Sequence, residues 1–203
     1  MTYVQESFVE SRVADIWRQF SLEPGFDIEA LLDDLGLGLI WDNVPDENGL
    51  RVLGQLKPYE KVVVLNERYL EMLEEKDGRL GRFTLGHEIG HWELHSAVIR
   101  TGTLRLFDGE RILCRDGSSD PIERQAEMFS AALLMPREVL REALTQLPWR
   151  GWRTLYQLAD HFVVNITPMK VRLERLDWIH LDEKGKPATG PRPVSGQGTL
   201  FSF

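Results

Sequence analysis

The most constraining stretch of the sequence is residues 83–95, where His87 and His91 lie four residues apart. On a helix, residues with this spacing leave the same face one turn from each other, so both imidazoles can reach one metal ion. Glu88 follows His87 directly and can reach a water held on such an ion. The pattern H-E-x-x-H is typical of zinc hydrolases, in which the glutamate acts as general base. We therefore expect His87 and His91 to be metal ligands and Glu88 to be catalytic.

The same segment must be weighed against an ordinary core helix. Leu85, Ile89 and Trp92 recur at helical spacing and form an apolar stripe. Gly86 and Gly90, however, each weaken helix propensity by about 1 kcal/mol relative to alanine. A helix that served packing alone would carry alanine at these positions. The two glycines therefore favour close backbone packing beside a metal site.

Bulk properties exclude several classes of function. The 203 residues suit one domain, and a net charge of −8 argues against a generic basic surface for nucleic acid. The first residues contain Glu6 and Glu10 and lack an apolar signal-peptide core, and no apolar run approaches the length of a membrane span. The single cysteine, Cys114, fits a reducing compartment. We expect a soluble cytoplasmic protein without direct nucleic-acid or membrane binding.

Apolar periodicity predicts a mainly helical α+β fold with a small sheet. Short β-prone runs in residues 37–65 predict three strands, mostly antiparallel. The tail is rich in glycine and proline, which predicts a flexible segment. The predicted organisation is one domain, 1–182, followed by a tail, 183–203; within the domain we expect a helical segment at 1–36, the sheet at 37–65, metal-site helices in 80–134 and C-terminal helices in 136–178.

A catalytic zinc usually takes a third protein ligand. His95 lies one turn beyond His91, but three successive turns of a straight helix cannot converge on one ion, because each turn advances about 5.4 Å. His95 is therefore interpreted as a residue that contacts a ligand or faces substrate, or as an exposed helix histidine. Leu94 and Ala97 stand where metzincins require glycine and histidine, which excludes that class.

The remaining candidates are Glu123 and Glu127, which share a face of the helix that follows Asp120-Pro121. Each has a structural alternative. Asp120 and Glu123 have the spacing of a capping box, and Glu127 can be a solvated helix charge. Position alone leaves this choice open.

Two motifs together resemble the ImmA/IrrE family of metallopeptidases. The first is residues 85–95; the second, residues 123–136, is similar to the family pattern E-x-x-A-(N/D)-x-F-A-x-x-L-L-M-P. The resemblance extends over roughly residues 35–182. It implies a zincin-like domain with a gluzincin-like site in which Glu123 binds Zn²⁺. Glu127 replaces the family's Asn or Asp, and the resemblance implies that it hydrogen-bonds one of the ligand histidines.

The resemblance also implies a function. Family members cleave helix-turn-helix repressors, so we expect a zinc endopeptidase acting on a separate repressor protein, in stress response or transcription regulation. Mn²⁺ or Fe²⁺ could occupy the same ligand set. Tyr156 and His161 are candidates for stabilising the oxyanion. The alternative is a metal-dependent regulator that binds a repressor without cleaving it.

The tail carries a separate signal. Gln197, Leu200 and Phe201 resemble the Q-x-x-L-F peptide that docks on the bacterial replication sliding clamp, with Gly198 departing from the usual pattern. The sliding clamp is therefore a second candidate partner, and a sticky disordered end is the alternative.

Overall fold

The computed structural model describes residues 4–46, 51–100 and 121–192, with the backbone alone for 96–100. Within these ranges it confirms a mainly helical α+β fold. The helices are α1 (Glu6–Gln19), α2 (Ile28–Asp34), α3 (Leu70–Arg100), α4 (Pro121–Leu134), α5 (Arg137–Thr145), α6 (Trp152–His161) and α7 (Ile166–Arg175). The strands are β1 (Gly38–Asp42), β2 (Gly54–Lys57), β3 (Val62–Asn66), β4 (Ile179–Leu181) and β5 (Pro187–Thr189). No helix in these ranges is long and apolar enough to cross a bilayer.

Some predictions fall on residues outside these ranges. The segment 103–115, whose loose alternation predicts a hairpin or an irregular connection and which contains Cys114, lies outside the described residues, as do the expected cap Asp120 and the tail motif at 197–201.

The N-terminal helix forms where the apolar spacing predicts it. Val9, Val13, Ile16 and Trp17 are the buried residues of α1. The Trp17 indole N–H donates to the carbonyl of Leu133 at 2.9 Å, which fixes α1 against the end of α4. Helix α1 therefore packs against the helix that carries the second motif.

The three-stranded sheet is mixed. Strand β3 lies in the centre, antiparallel to β2 and parallel to β1. The predicted antiparallel pairing is thus right for β2–β3 and wrong for β1–β3. A short turn joins β2 to β3 and forces an antiparallel hairpin. The connection between β1 and β2 is longer, which allows these two strands to lie on opposite sides of β3. The central place of β3 explains its nearly continuous buried run.

A buried asparagine fixes the approach to β2. The Asn66 amide donates to the carbonyls of Val44, at 2.8 Å, and Val52, at 2.7 Å. Its oxygen accepts from the backbone N–H of Val44 and of Arg68. One side chain therefore links the end of β3, the connection into β2 and the start of the next helical turn.

A kink separates the two halves of α3. Residues 75–78 are non-helical, and Lys76, Asp77 and Gly78 have positive φ. The dipeptide Asp77-Gly78 is typical of turns, so the sequence itself predicts that a helix ends at this break. The second half of α3 carries the histidine motif as an almost independent helix.

The packing of α3 on α4 is the most extensive helix–helix contact in the described structure. A Cβ built on Gly90 would lie 3.0 Å from the Cα of Ala126 and 3.1 Å from the Cβ of Phe129. A Cβ on Gly86 would lie 2.6 Å from the hydroxyl oxygen of Ser130. The glycines therefore let two backbones meet at a distance that alanine would prevent.

The C-terminal part differs from the prediction. Residues 183–192, assigned to a flexible tail, carry the turn and second strand of the hairpin β4–β5. The Asp182 carboxylate accepts from the backbone N–H of Lys184 and of Lys186, and Gly185 adopts a φ of 71°. An aspartate with a glycine three residues later is a turn signal, but the high glycine and proline content of the segment obscured it.

The Gly86–Ser130 contact predicts a specific energetic coupling. We expect Gly86→Ala to lower the free energy of unfolding, because overpacking of the new methyl against the Ser130 hydroxyl, which costs about 1–3 kcal/mol, outweighs the gain of about 1 kcal/mol in helix propensity. In a Ser130→Ala background the loss should shrink, since the nearest remaining atom would be the Cβ of residue 130 at 3.4 Å. Denaturant unfolding of the four proteins measures the coupling.

Gly90→Ala is the matched control, because its neighbours on Ala126 are backbone atoms that Ser130→Ala does not remove. An equal cost of Gly86→Ala in both backgrounds would contradict the packing argument.

Candidate metal centre

Two imidazoles and one carboxylate meet between α3 and α4. The Nε2 atoms of His87 and His91 lie 3.0 Å apart. The Glu123 carboxylate lies 3.2 Å from Nε2 of His87 through one oxygen and 3.5 Å from Nε2 of His91 through the other. The side chain of Glu123 thus turns toward the histidines. These three residues form a group that could hold a metal ion.

The spacing of this group suits a small divalent cation. Ligand atoms that bind a tetrahedral ion at about 2.0–2.1 Å lie about 3.3 Å from one another. The measured separations, 3.0 to 3.5 Å, bracket that value. Both imidazoles are almost fully buried, and Glu123 is half-buried. The donor set is therefore preorganised to receive an ion.

Glu88 is fully buried beside this group and beneath β2. A Cβ built on Gly54 would lie 3.0 Å from a carboxylate oxygen of Glu88 and 2.6 Å from the Cγ2 of Thr84. Gly54 therefore lets the strand pass directly over the glutamate. Sequence reasoning missed this role, although a glycine inside a strand is a known sign of close approach.

His95 extends the site on the side away from Glu123. Its Nδ1 lies 3.1 Å from Nδ1 of His91, and its Nε2 lies 3.0 Å from Oε1 of Gln125. Burial lowers the pKa of His95 below its ordinary value, and the hydrogen bond to Gln125 partly opposes this. His95 is therefore neither a third ligand on α3 nor an exposed residue. Sequence reasoning did not identify Gln125. The feature that could have indicated it is a polar residue at a buried position of α4.

Glu127 lies one turn beyond Glu123 and is half-buried. Burial raises the pKa of its carboxyl group, and nearby His87 and Arg175 oppose the rise. Among the described residues no hydrogen bond joins Glu127 to either imidazole. Its expected contact with a ligand histidine stays a prediction.

The two candidates for oxyanion stabilisation lie on α6. Tyr156 is 55% exposed, and His161 is exposed with its ring against Phe162. In the described ranges neither contacts the three clustered ligands. Their assignment stays a prediction, as does the clamp-binding role of the tail.

The fold and the site together define a helical α+β domain with a His₂Glu group and an adjacent buried glutamate. The family model for the IrrE N-terminal-like domain matches residues 49–174, which is more than half of the chain. The protein therefore belongs to that family, as the two motifs predict.

A solved structure supports the fold. The chain is similar to a Mycobacterium tuberculosis transcriptional regulator, with a TM-score of 0.55 and 16% sequence identity. The match covers 93% of this chain and 55% of that protein, so the chain spans about half the length of this neighbour. No curated protein matches the chain.

The geometry predicts which carboxylate controls metal binding. We expect Glu123→Ala to weaken the affinity for Zn²⁺ strongly, because one of three donors is lost. The loss should be far greater than the roughly 10–100-fold that follows removal of a residue that only hydrogen-bonds a metal ligand. Glu127→Ala, on the same helix face, should stay within that range or below it. Competition with a chromophoric chelator measures both affinities. If the two variants lost affinity equally, the assignment of Glu123 as the ligand would be wrong.

Proposed function

We propose that the protein is a zinc-dependent endopeptidase that cleaves a separate helix-turn-helix repressor at a specific site. The observation that carries the proposal is the burial of Glu88 next to the His₂Glu group. Burying a carboxylate is costly, and a helix position that served packing alone would hold an apolar side chain. A general base beside a metal site supplies a reason for that cost.

Zinc is the ion that the donor set favours. Two imidazoles and one carboxylate are the ligands of His₂Glu catalytic zinc sites, and His87, His91 and Glu123 supply them. Mn²⁺ and Fe²⁺ are the competing ions, since selectivity also follows availability. When bound, zinc supplies Lewis acidity that polarises a carbonyl and acidifies water.

The proton of the attacking water is transferred by a residue of the chain itself. Glu88 accepts the proton of the attacking water and delivers it to the leaving amine. A further hydrogen-bond donor is needed for the developing oxyanion, and Tyr156 or His161 is proposed for that role. Both lie on α6, so this part of the proposal requires substrate to reach that helix.

The position of β2 supports a peptide as substrate. Among the described strands, β2 lies at one end of the three-stranded sheet, beside β3. The same strand passes over Glu88 at Gly54. An extended peptide that lies along β2 would therefore run past the general base.

A repressor is the proposed substrate class on two grounds. The family motifs resemble those of repressor-cleaving enzymes, and the similar solved structure is described as a transcriptional regulator. The second ground also favours the alternative, a regulator that binds a repressor without cutting it. Buried Glu88 supports cleavage over binding alone, because binding does not require a base.

Replacement of the base tests the proposal. We expect Glu88→Gln to keep its zinc and to lose about 10²–10⁴-fold in cleavage rate, because a positioned proton acceptor contributes that much. Glu74→Gln, an exposed change on α3, is the matched control and should cleave normally. Zinc content by atomic emission and fragment formation on gels measure the two effects. Undiminished cleavage by Glu88→Gln would refute the general-base role.

The inactive variant also identifies the substrate. We expect Glu88→Gln to retain its partner in a pull-down, because the substrate binds but is not cut. The captured protein is then incubated with zinc-loaded wild-type protein. A new fragment supports the peptidase, whereas an intact partner under saturating zinc favours the non-cleaving regulator.

A further inference from the structure

A hydrogen-bonded column runs from α4 to the metal-site imidazole of His91. Gln125 contacts His95 at 3.0 Å, and His95 contacts His91 at 3.1 Å. We propose that His95 and Gln125 are positioning residues that hold His91 in the tautomer able to bind a metal ion. This inference rests on the proposed function, because it concerns the same metal centre.

Gln125, at the α4 end of the column, determines which nitrogen atoms of the two histidines donate and which accept. The contact atom of Gln125 is the amide oxygen, which can only accept. Nε2 of His95 must therefore carry its proton, and Nδ1 of neutral His95 is left as an acceptor. The facing Nδ1 of His91 must then be the donor. Nε2 of His91, which faces His87 and Glu123, is consequently deprotonated and presents its lone pair.

The opposite orientation of the amide has the opposite result. If the Gln125 nitrogen faced His95, it would donate to Nε2 and move the proton of His95 to Nδ1. His95 would then donate to Nδ1 of His91, and the proton of His91 would sit on Nε2. That proton would block the metal-binding atom. The amide oxygen of Gln125 thus favours, through two rings, the tautomer of His91 that can bind a metal ion.

The packing of α3 on α4 keeps the three residues of the column in contact. His91 and His95 lie one turn apart on α3. Gln125 is the neighbour of Ala126, whose backbone packs closely against Gly90 of α3. His95 and Gln125 are both buried. Water therefore has little access to replace either hydrogen bond.

The column is tested by changing its last acceptor. We expect Gln125→Leu to weaken Zn²⁺ affinity about 10–100-fold, the usual effect of losing an outer-shell partner. Gln125→Glu should bind more tightly than Gln125→Leu, because a carboxylate keeps an acceptor opposite Nε2 of His95. His95→Phe, which keeps a ring but removes the nitrogens, should resemble Gln125→Leu. The exposed residue Gln157 on α6 provides the control Gln157→Leu, which should bind normally.

Affinity is measured by chelator competition, and folding is checked by circular dichroism. A second readout is independent of metal and of activity. Long-range ¹H–¹⁵N correlation spectra of metal-free protein report the protonated nitrogen of each ring. We expect a proton on Nε2 of His95 and on Nδ1 of His91 in wild type, and a mixture of tautomers in Gln125→Leu.

The outcomes separate this inference from the function on which it rests. Wild-type zinc affinity in both Gln125→Leu and His95→Phe, or a proton on Nδ1 of His95 in wild type, would overturn the positioning role and leave the peptidase proposal intact. A wild-type protein that binds no zinc would overturn both. Loss of affinity in Gln125→Leu with rescue in Gln125→Glu supports the role, since a merely structural effect would not follow acceptor chemistry.

Discussion

The close approach of α3 and α4 is the constraint on which the site depends. Gly86 and Gly90 remove the side chains that would hold the helices apart, and the contact puts Glu123 within reach of both imidazoles. A separation larger by one methyl group would move the carboxylate away from a common ion. The two glycines therefore lose helix propensity of about 1 kcal/mol each in exchange for ligand geometry.

The site concentrates polar groups where the rest of the core is apolar. His87, Glu88, His91, His95 and Gln125 are all buried between the two helices and the sheet. Buried polar groups need partners that match in donor and acceptor role. The column from Gln125 to His91 satisfies that requirement for three of them, and it does so in the one proton arrangement that suits a metal ligand.

The sequence predicted the parts of the structure that depend on local pattern. The histidine spacing, the periodicity of α1 and the break at Asp77-Gly78 each arise within a few residues, and the structure agrees with them. The parallel pairing of β1 with β3 was missed, because strand order depends on where a long connection goes. Gly54 and Gln125 were missed for a similar reason: their partners, Glu88 and His95, are distant in sequence. The Glu123 assignment required the family resemblance, since spacing alone allowed a capping box.

The two halves of the donor set come from segments separated by the chain between His91 and Glu123. An ion that joins them would act as a cross-link between α3 and α4, and the stability it adds would grow with the logarithm of the ion concentration above its dissociation constant. The entropic cost of closing the intervening chain grows slowly, by about 0.6 kcal/mol for each doubling of its length. The length of this connection therefore has little effect on the free energy of forming the ion-bridged arrangement of α3 and α4.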